Sequence, residues 1–276
     1  MRAAASVIAT ISPDCHRVRG ITSVDVELFL LLELHRDNQV AVYCINDYQL
    51  LRHLHVRGYK PDSCSDMTSC VQRKCLYMSD WDNSCIHRYE LASSDTSEWW
   101  VPGKPLGLSV TPNGNLLVTT QSQCWDKPDK LVEFSADNGE SVREIALQSG
   151  IEYPHDSVQL TTGQFVVCHG LLTFSSHGVC VVGDNGKVIR SYYGPGGSDV
   201  GQLKWPRHFA VDKDSQFMFV ADEENNNASI VLLRPTLEFV RYIEGLSCPR
   251  RLYFHQSTRR LFVGQRYDRT VRVIQL

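Results

Sequence analysis

The chain has 276 residues and a mass of 31.3 kDa, about twice the commonest domain size, so its length admits two small domains or one large sheet-built one. Hydrophobic residues make up 42% and charged residues 21%, and eleven prolines are scattered along the sequence, which excludes a disordered or collagen-like protein. A net charge of −3 with a pI near 6.4 excludes the global basic field that non-specific nucleic-acid binding relies on, so any basic surface is local.

The N-terminal stretch MRAAASVIATI carries one basic residue, is interrupted by Ser6 and Thr10, and has no cleavage site after it. It reads as structure, with secretion as the alternative. The longest apolar run, LFLLL at 28–32, stops at Glu33, far short of the roughly twenty residues a membrane-spanning helix needs, so no membrane partner is expected. The tracts LLLELHRDNQVAVYCI and LYMSDWDNSCIHRYEL each set two apolar strands around a polar tip. Cys64, Cys70, Cys75 and Cys85 lie at intervals of 6, 5 and 10 with no CxxC pair, and so fit neither a RING nor a zinc ribbon. Cys168 in FVVC and Cys180 in VCVV act as small hydrophobes. Reduced, mostly buried thiols and a cytoplasmic location follow, with Cys70 and Cys75 the closest pair across a short hairpin.

From residue 105 the chain repeats. GKPLGLSVTPNGNLLVTTQ, EYPHDSVQLTTGQFVVCHG, KWPRHFAVDKDSQFMFVAD and SCPRRLYFHQSTRRLFVGQ share one template: a proline, an alternating strand, a polar turn and a more apolar strand. The intervals between Pro105, Pro154, Pro206 and Pro249 are 49, 52 and 43 residues, a period in the range of propeller blades. A third strand follows each polar tip and, in several units, an amphipathic fourth, so each unit is a four-stranded antiparallel blade. The units begin near Gly20, Met67, Pro105, Pro154, Pro206 and Pro249. The expected fold is an all-β, six-bladed β-propeller forming a single domain over residues 1–276. The sixth unit ends at Leu276 after three strands, and the strand at 5–11 supplies its outer strand and closes the ring. No sustained 3.6-residue period is present, so helices should be nearly absent.

Within the fifth unit, VADEENNNASI at 220–230 resembles the VAD..N.RI core of NHL repeats, and YMSDWDNSCI at 77–86 looks like a second copy. WPRHFAVD at 205–212 is similar to the P.GIAVD opening of those repeats, with His208 where glycine is usual, and 194–202 resembles the GxxGxxxGQ linker between blades. The resemblance to NHL-repeat propellers is strong over residues 105–276. In animal proteins such propellers often end chains carrying RING, B-box and coiled-coil segments, which implies a substrate-receptor role in ubiquitin transfer.

A propeller offers a top face built from the turns after each second strand and the residues after each blade-opening proline. Here it includes His35-Arg36-Asp37, Trp81, Asp156 and the acids Asp222, Glu223 and Glu224. From Ser247 to Leu276 there are seven arginines and one acid, Asp268. The template sends Arg259 and Arg260 to the bottom turn, and Arg250, Arg251, Arg266 and Arg269 to the top. With Arg207, His208, Tyr267 and Trp81 these form the expected ligand-binding set. The expected function is a non-catalytic, monomeric recognition module without a cofactor, taking a protein or peptide ligand. One alternative is binding of single-stranded RNA on the arginine patch. Another is a metal-dependent lyase or hydrolase in the axial channel, because some NHL-type propellers resemble the peptide-amidating lyase. Its ligands would be His155, His169 and His208, although no clustered spacing supports them and ordinary structural histidines are the leading expectation. The plainest reading of the arginines is a set of solvated turns neutralised by Asp222, Glu223 and Glu224. No GxSxG, HExxH or Walker-type motif is present.

Overall fold

The computed structural model describes residues 2–4, 6–13, 17–33, 39–59, 64–124, 126–170, 177–193, 202–223 and 229–276. His35, Arg36, Asp37, Glu224 and most of the 194–202 linker lie outside the described residues.

Two N-terminal strands, β1 (Arg2–Ala4) and β2 (Val7–Ile11), precede six sheets. Blade 1 is β3 (Arg17–Val24), β4 (Glu27–Glu33), β5 (Gln39–Cys44) and β6 (Leu50–His55). Blade 2 is β7 (Cys64–Cys70), β8 (Cys75–Asp80), β9 (Cys85–Glu90) and β10 (Thr96–Trp100). Blade 3 is β11 (Lys104–Val110), β12 (Leu116–Gln121), β13 (Lys130–Phe134) and β14 (Ser141–Ala146). Blade 4 is β15 (Pro154–Gln159), β16 (Phe165–His169), β17 (Gly178–Val182) and β18 (Val188–Tyr192). Blade 5 is β19 (Pro206–Val211), β20 (Met218–Asp222), β21 (Ser229–Leu233) and β22 (Phe239–Glu244), and blade 6 is β23 (Pro249–His255), β24 (Arg260–Gln265) and β25 (Val271–Gln275). Neighbouring strands within each blade are antiparallel, and the described residues contain no helix. This is the six-bladed propeller expected from the repeat.

β2 pairs antiparallel with β25, Val7 opposite Ile274 and Ile11 opposite Val271, so the N-terminus completes blade 6 and closes the ring. β1 was not legible in the sequence because three residues carry no periodicity. It adds a fifth, parallel strand to blade 5, with Arg2 opposite Tyr242 and Ala4 opposite Glu244.

Six apolar clusters fill the six junctions between adjacent blades. The run at 28–32 shows why the second strands are so apolar: Phe29 and Leu31 face blade 2, whereas Leu28, Leu30 and Leu32 face blade 6. A strand buried on both faces has no polar side, and each such side chain contributes about 1.5–3 kcal/mol. Eight cysteines, Cys44, Cys70, Cys75, Cys85, Cys124, Cys168, Cys180 and Cys248, are free thiols, and Cys70 lies directly opposite Cys75.

Candidate functional site

The inner strand of every blade carries a bulge near its start. Pairing skips from Val18 to Gly20, Cys64 to Met67, Pro105 to Leu108, Pro154 to Asp156, Pro206 to His208 and Pro249 to Arg251. A bulge re-aims side chains, and here the repeat turns it into two rings around the axis. The residues one after the proline position are Arg19, Ser65, Leu106, His155, Arg207 and Arg250. Those one further on are Gly20, Asp66, Gly107, Asp156, His208 and Arg251.

The polar members of the second ring tie neighbouring blades together. Asp66 Oδ2 accepts the Leu108 N–H at 2.9 Å, Asp156 Oδ2 accepts the Phe209 N–H at 3.2 Å, and His208 Nδ1 accepts the Leu252 N–H at 3.4 Å. Arg251, a donor only, reverses the polarity and bonds the carbonyls of Arg19 and Ser65. Glycine fills the remaining two positions because the next blade comes too close. A Cβ on Gly107 would sit 2.6 Å from the Asp156 Cα, and one on Gly20 would sit 2.6 Å from the Met67 Cβ.

All six first-ring residues line a cavity of about 110 Å³ at the mouth of the channel, with Asp66, Gly107, His208 and Arg251 in its wall and floor. A cavity of about 420 Å³ opens on the other side, where His208 again forms part of the lining, now with Asp156. The channel is therefore divided by a polar belt. In it His208 Nε2 lies 3.5 Å from Asp66 Oδ1 and 3.6 Å from Asp156 Oδ2, and Arg251 Nε lies 3.7 Å from Asp66 Oδ1. Burial, with the Asp66 charge beside it, pushes the Asp156 carboxyl up to about 6 against the opposing pull of His208. Burial lowers the His208 imidazole, but Asp156 and Asp66 together more than reverse this and its pKa is raised. These donors converge in a way that would suit a cation. Each, however, is already committed to an N–H of the neighbouring strand, and Arg251 supplies the positive charge.

The mouth is strongly cationic. Arg19 pairs with Glu33 at 2.9 Å, and Arg207 pairs with Glu223 at 3.2 Å while lying over the Trp205 ring. Arg250 has no ion pair or side-chain hydrogen bond among the described residues; burial and the charge of Arg251 pull its pKa down to about 9. His155 donates from Nε2 to the Gly170 carbonyl at 3.0 Å, and burial together with Arg207 lowers it to about 3, so it is neutral.

Of the residues expected from sequence, Arg207, His208, Arg250 and Arg251 meet at this cavity. Arg266 joins them through Glu223 at 2.8 Å and stacks on Tyr267. Trp81 lines a separate groove over blade 3, under Lys104, and Arg269 lines neither space. Arg250 and Arg251 lie in strand β23 rather than in top turns, and Arg251 is buried, so they are not part of an open solvated patch. The metal set His155, His169 and His208 is not assembled: His169 is buried edge-on to Tyr193, and neither it nor His155 belongs to a convergent donor group. Arg19, Ser65 and Asp66 were missed because blades 1 and 2 open with Val18 and Cys64 in place of proline. Aligning bulge positions instead of prolines would have found them.

No family model matches the chain, and no curated protein matches it in sequence. Its fold is similar to that of virginiamycin B lyase from Staphylococcus aureus, solved in a catalytically inactive form with quinupristin, at a TM-score of 0.65 and 12% identity over 97% of this chain and 87% of that one. Hydrazine synthase from Kuenenia stuttgartiensis matches at 0.67 and 13% identity over 96% and 97%. The Cps50 (Swd1) β-propeller domain from Myceliophteria thermophila matches at 0.63 and 12% identity over 94% and 83%. At such identities the likeness carries the propeller fold alone, a fold that commonly binds proteins or peptides. It corrects the expectation of a non-catalytic recognition module with protein, RNA or ubiquitin-system partners, because the propellers it resembles include enzymes.

Proposed function

We propose that this protein binds a small molecule by its anionic group, a carboxylate or phosphate, at the axial mouth of the propeller. The observation that carries the reading is Arg250, a half-buried guanidinium with no ion pair or side-chain hydrogen bond among the described residues and only longer-range attraction from Glu223, in a cavity that Arg19, Arg207 and Arg251 also line. A buried cation is costly unless paired, and a forked guanidinium matches a carboxylate or phosphate bidentately. A volume of about 110 Å³ suits one such group rather than a chain segment. The lyase structure with quinupristin is a precedent for a small ligand on this fold.

A second reading, proton transfer to or from a molecule bound on the other side of the belt, is favoured by Asp156, whose carboxyl is raised to about 6 and which lines the cavity of about 420 Å³ together with His208. Groups titrating close to neutrality at a cleft suit general acid–base work. The tract at 220–230 supports reading the blades as NHL-type repeats, and the free thiols support a cytoplasmic location.

Calorimetric titration with inorganic phosphate and short-chain carboxylates tests the site. One saturable site per chain is expected, lost in Arg250→Met and retained in Arg269→Met. Absence of binding, or equal loss in both variants, would overturn the reading.

A further inference from the structure

Blade 2 buries another set of donors away from the axis, on the face it turns toward blade 1. Asp80 ends β8 directly opposite Cys85 at the start of β9, and His87 lies opposite Glu98 of β10. Strand periodicity and register put all four on one face of the sheet. Asp80, Cys85 and His87 are buried, whereas Glu98 reaches solvent.

Two contacts converge on one nitrogen: Asp80 Oδ2 lies 3.1 Å from His87 Nε2, and Cys85 Sγ lies 3.7 Å from it. Tetrahedral zinc, bound at about 2.0–2.1 Å to nitrogen or oxygen and about 2.3 Å to sulfur, holds its ligand atoms roughly 3.3–3.6 Å apart. The observed separations are close to the edges of such a tetrahedron. A nucleophilic Cys–His–Asp relay needs the thiol and carboxylate on opposite ring nitrogens, which this arrangement does not provide. His87 Nδ1 instead faces Glu98 Oε1 at 3.6 Å. His87 Nε2 thus faces both the Asp80 oxygen and the Cys85 sulfur, and a cation between the three atoms would bind an Nε2 lone pair, with the ring proton on Nδ1 toward Glu98. Asp80 is itself oriented by Asn83, whose backbone N–H and side-chain amide donate to it at 3.0 and 2.9 Å.

The geometry points to a divalent-metal site of the zinc class at the top of blade 2, with Asp80 Oδ2, Cys85 Sγ and His87 Nε2 as ligands, Glu98 as the residue positioning the imidazole, and a fourth position for water. Binding forms the metal–sulfur bond and releases the Cys85 thiol proton to solvent, so the carboxylate and thiolate together balance the dication. A search for cysteine pairs passes over this site because it contains one cysteine; the sequence signal is D-x4-C-x-H.

The test is titration of full-length, chelator-stripped protein with Co²⁺, followed by displacement with Zn²⁺. One equivalent of Co²⁺ should give a thiolate-to-cobalt charge-transfer band that Zn²⁺ bleaches. Cys85→Ser should abolish the band and weaken Zn²⁺ binding about 100-fold, and Glu98→Gln should keep the band and weaken binding about 10-fold. Cys124→Ser and His208→Gln should leave both unchanged, which separates this site from an exposed thiol and from the axial belt. No band in wild type, a band surviving in Cys85→Ser, or a band lost in Cys124→Ser overturns the site. If Cys85→Ser does not fold, an unchanged affinity in the surface variant Glu98→Gln overturns it instead.

Discussion

Glu223 is shared by arginines of two blades: its Oε2 lies 3.2 Å from Arg207 Nε, and its Oε1 lies 2.8 Å from Arg266 Nη1. The carboxylate is 1% exposed, so it acts as a buried anion between two partly buried cations. Glu223→Gln should cost on the order of 2 kcal/mol, between the value of an exposed pair and that of a fully buried one. Urea midpoints measure this, and a loss below about 0.5 kcal/mol would show that solvent already screens both arginines.

Close packing of blades 3 and 4 predicts a penalty for adding one methyl group. A Cβ at Gly107 would sit 2.6 Å from the Asp156 Cα and 2.6 Å from the His155 carbonyl oxygen. Both atoms are backbone and cannot swing aside. Gly107→Ala should therefore destabilise by about 1–3 kcal/mol and displace Asp156 from the Phe209 N–H, and a neutral effect would contradict this approach of the strands.

Acid should weaken the fold through His169. Burial, with a smaller contribution from His177, lowers its pKa to about 4, below the ordinary value of 6.5. Between these values the unfolded chain binds the proton that the folded one refuses, so stability rises with pH across the window and is lost on acidification. From pH 7 to pH 4 wild type should lose on the order of 3 kcal/mol more than His169→Gln. Denaturation at the two pH values measures this difference, in which the opposite contribution of Asp156 cancels. Equal losses would contradict it.

The ring-closing pair gives a deletion test. Removing residues 1–12 strips β2 from β25 and takes Ile11, 3% exposed, out of the junction between blades 6 and 1. About 3 kcal/mol or more should be lost, with an unprotected edge left on blade 6. An unchanged urea midpoint would mean that the ring is held without this clasp.

The architecture was legible because every unit carries the same sequence of alternating strand, polar turn and doubly buried strand, and because Leu276 leaves blade 6 one strand short. The site was legible only where proline marked the bulge, so His155, Arg207, His208, Arg250 and Arg251 were found and Arg19 and Asp66 were not. Exposure of the arginines was misjudged for a related reason. Arg250 and Arg251 were expected in top turns, whereas both lie within the inner strand that Pro249 opens. Blade-to-blade bonds such as Asp66 to Leu108, at 2.9 Å, join residues 42 positions apart and leave no local pattern.

Thermal unfolding of wild type and Arg250→Met, each with and without phosphate, tests the axial anion site most directly. Without phosphate the variant should melt higher than wild type, because it lacks a partly desolvated cation with no direct ion pair, and phosphate should raise the melting temperature of wild type only. A variant that melts lower without phosphate and gains as much from it as wild type does would contradict the assignment of Arg250 as the anion-binding residue.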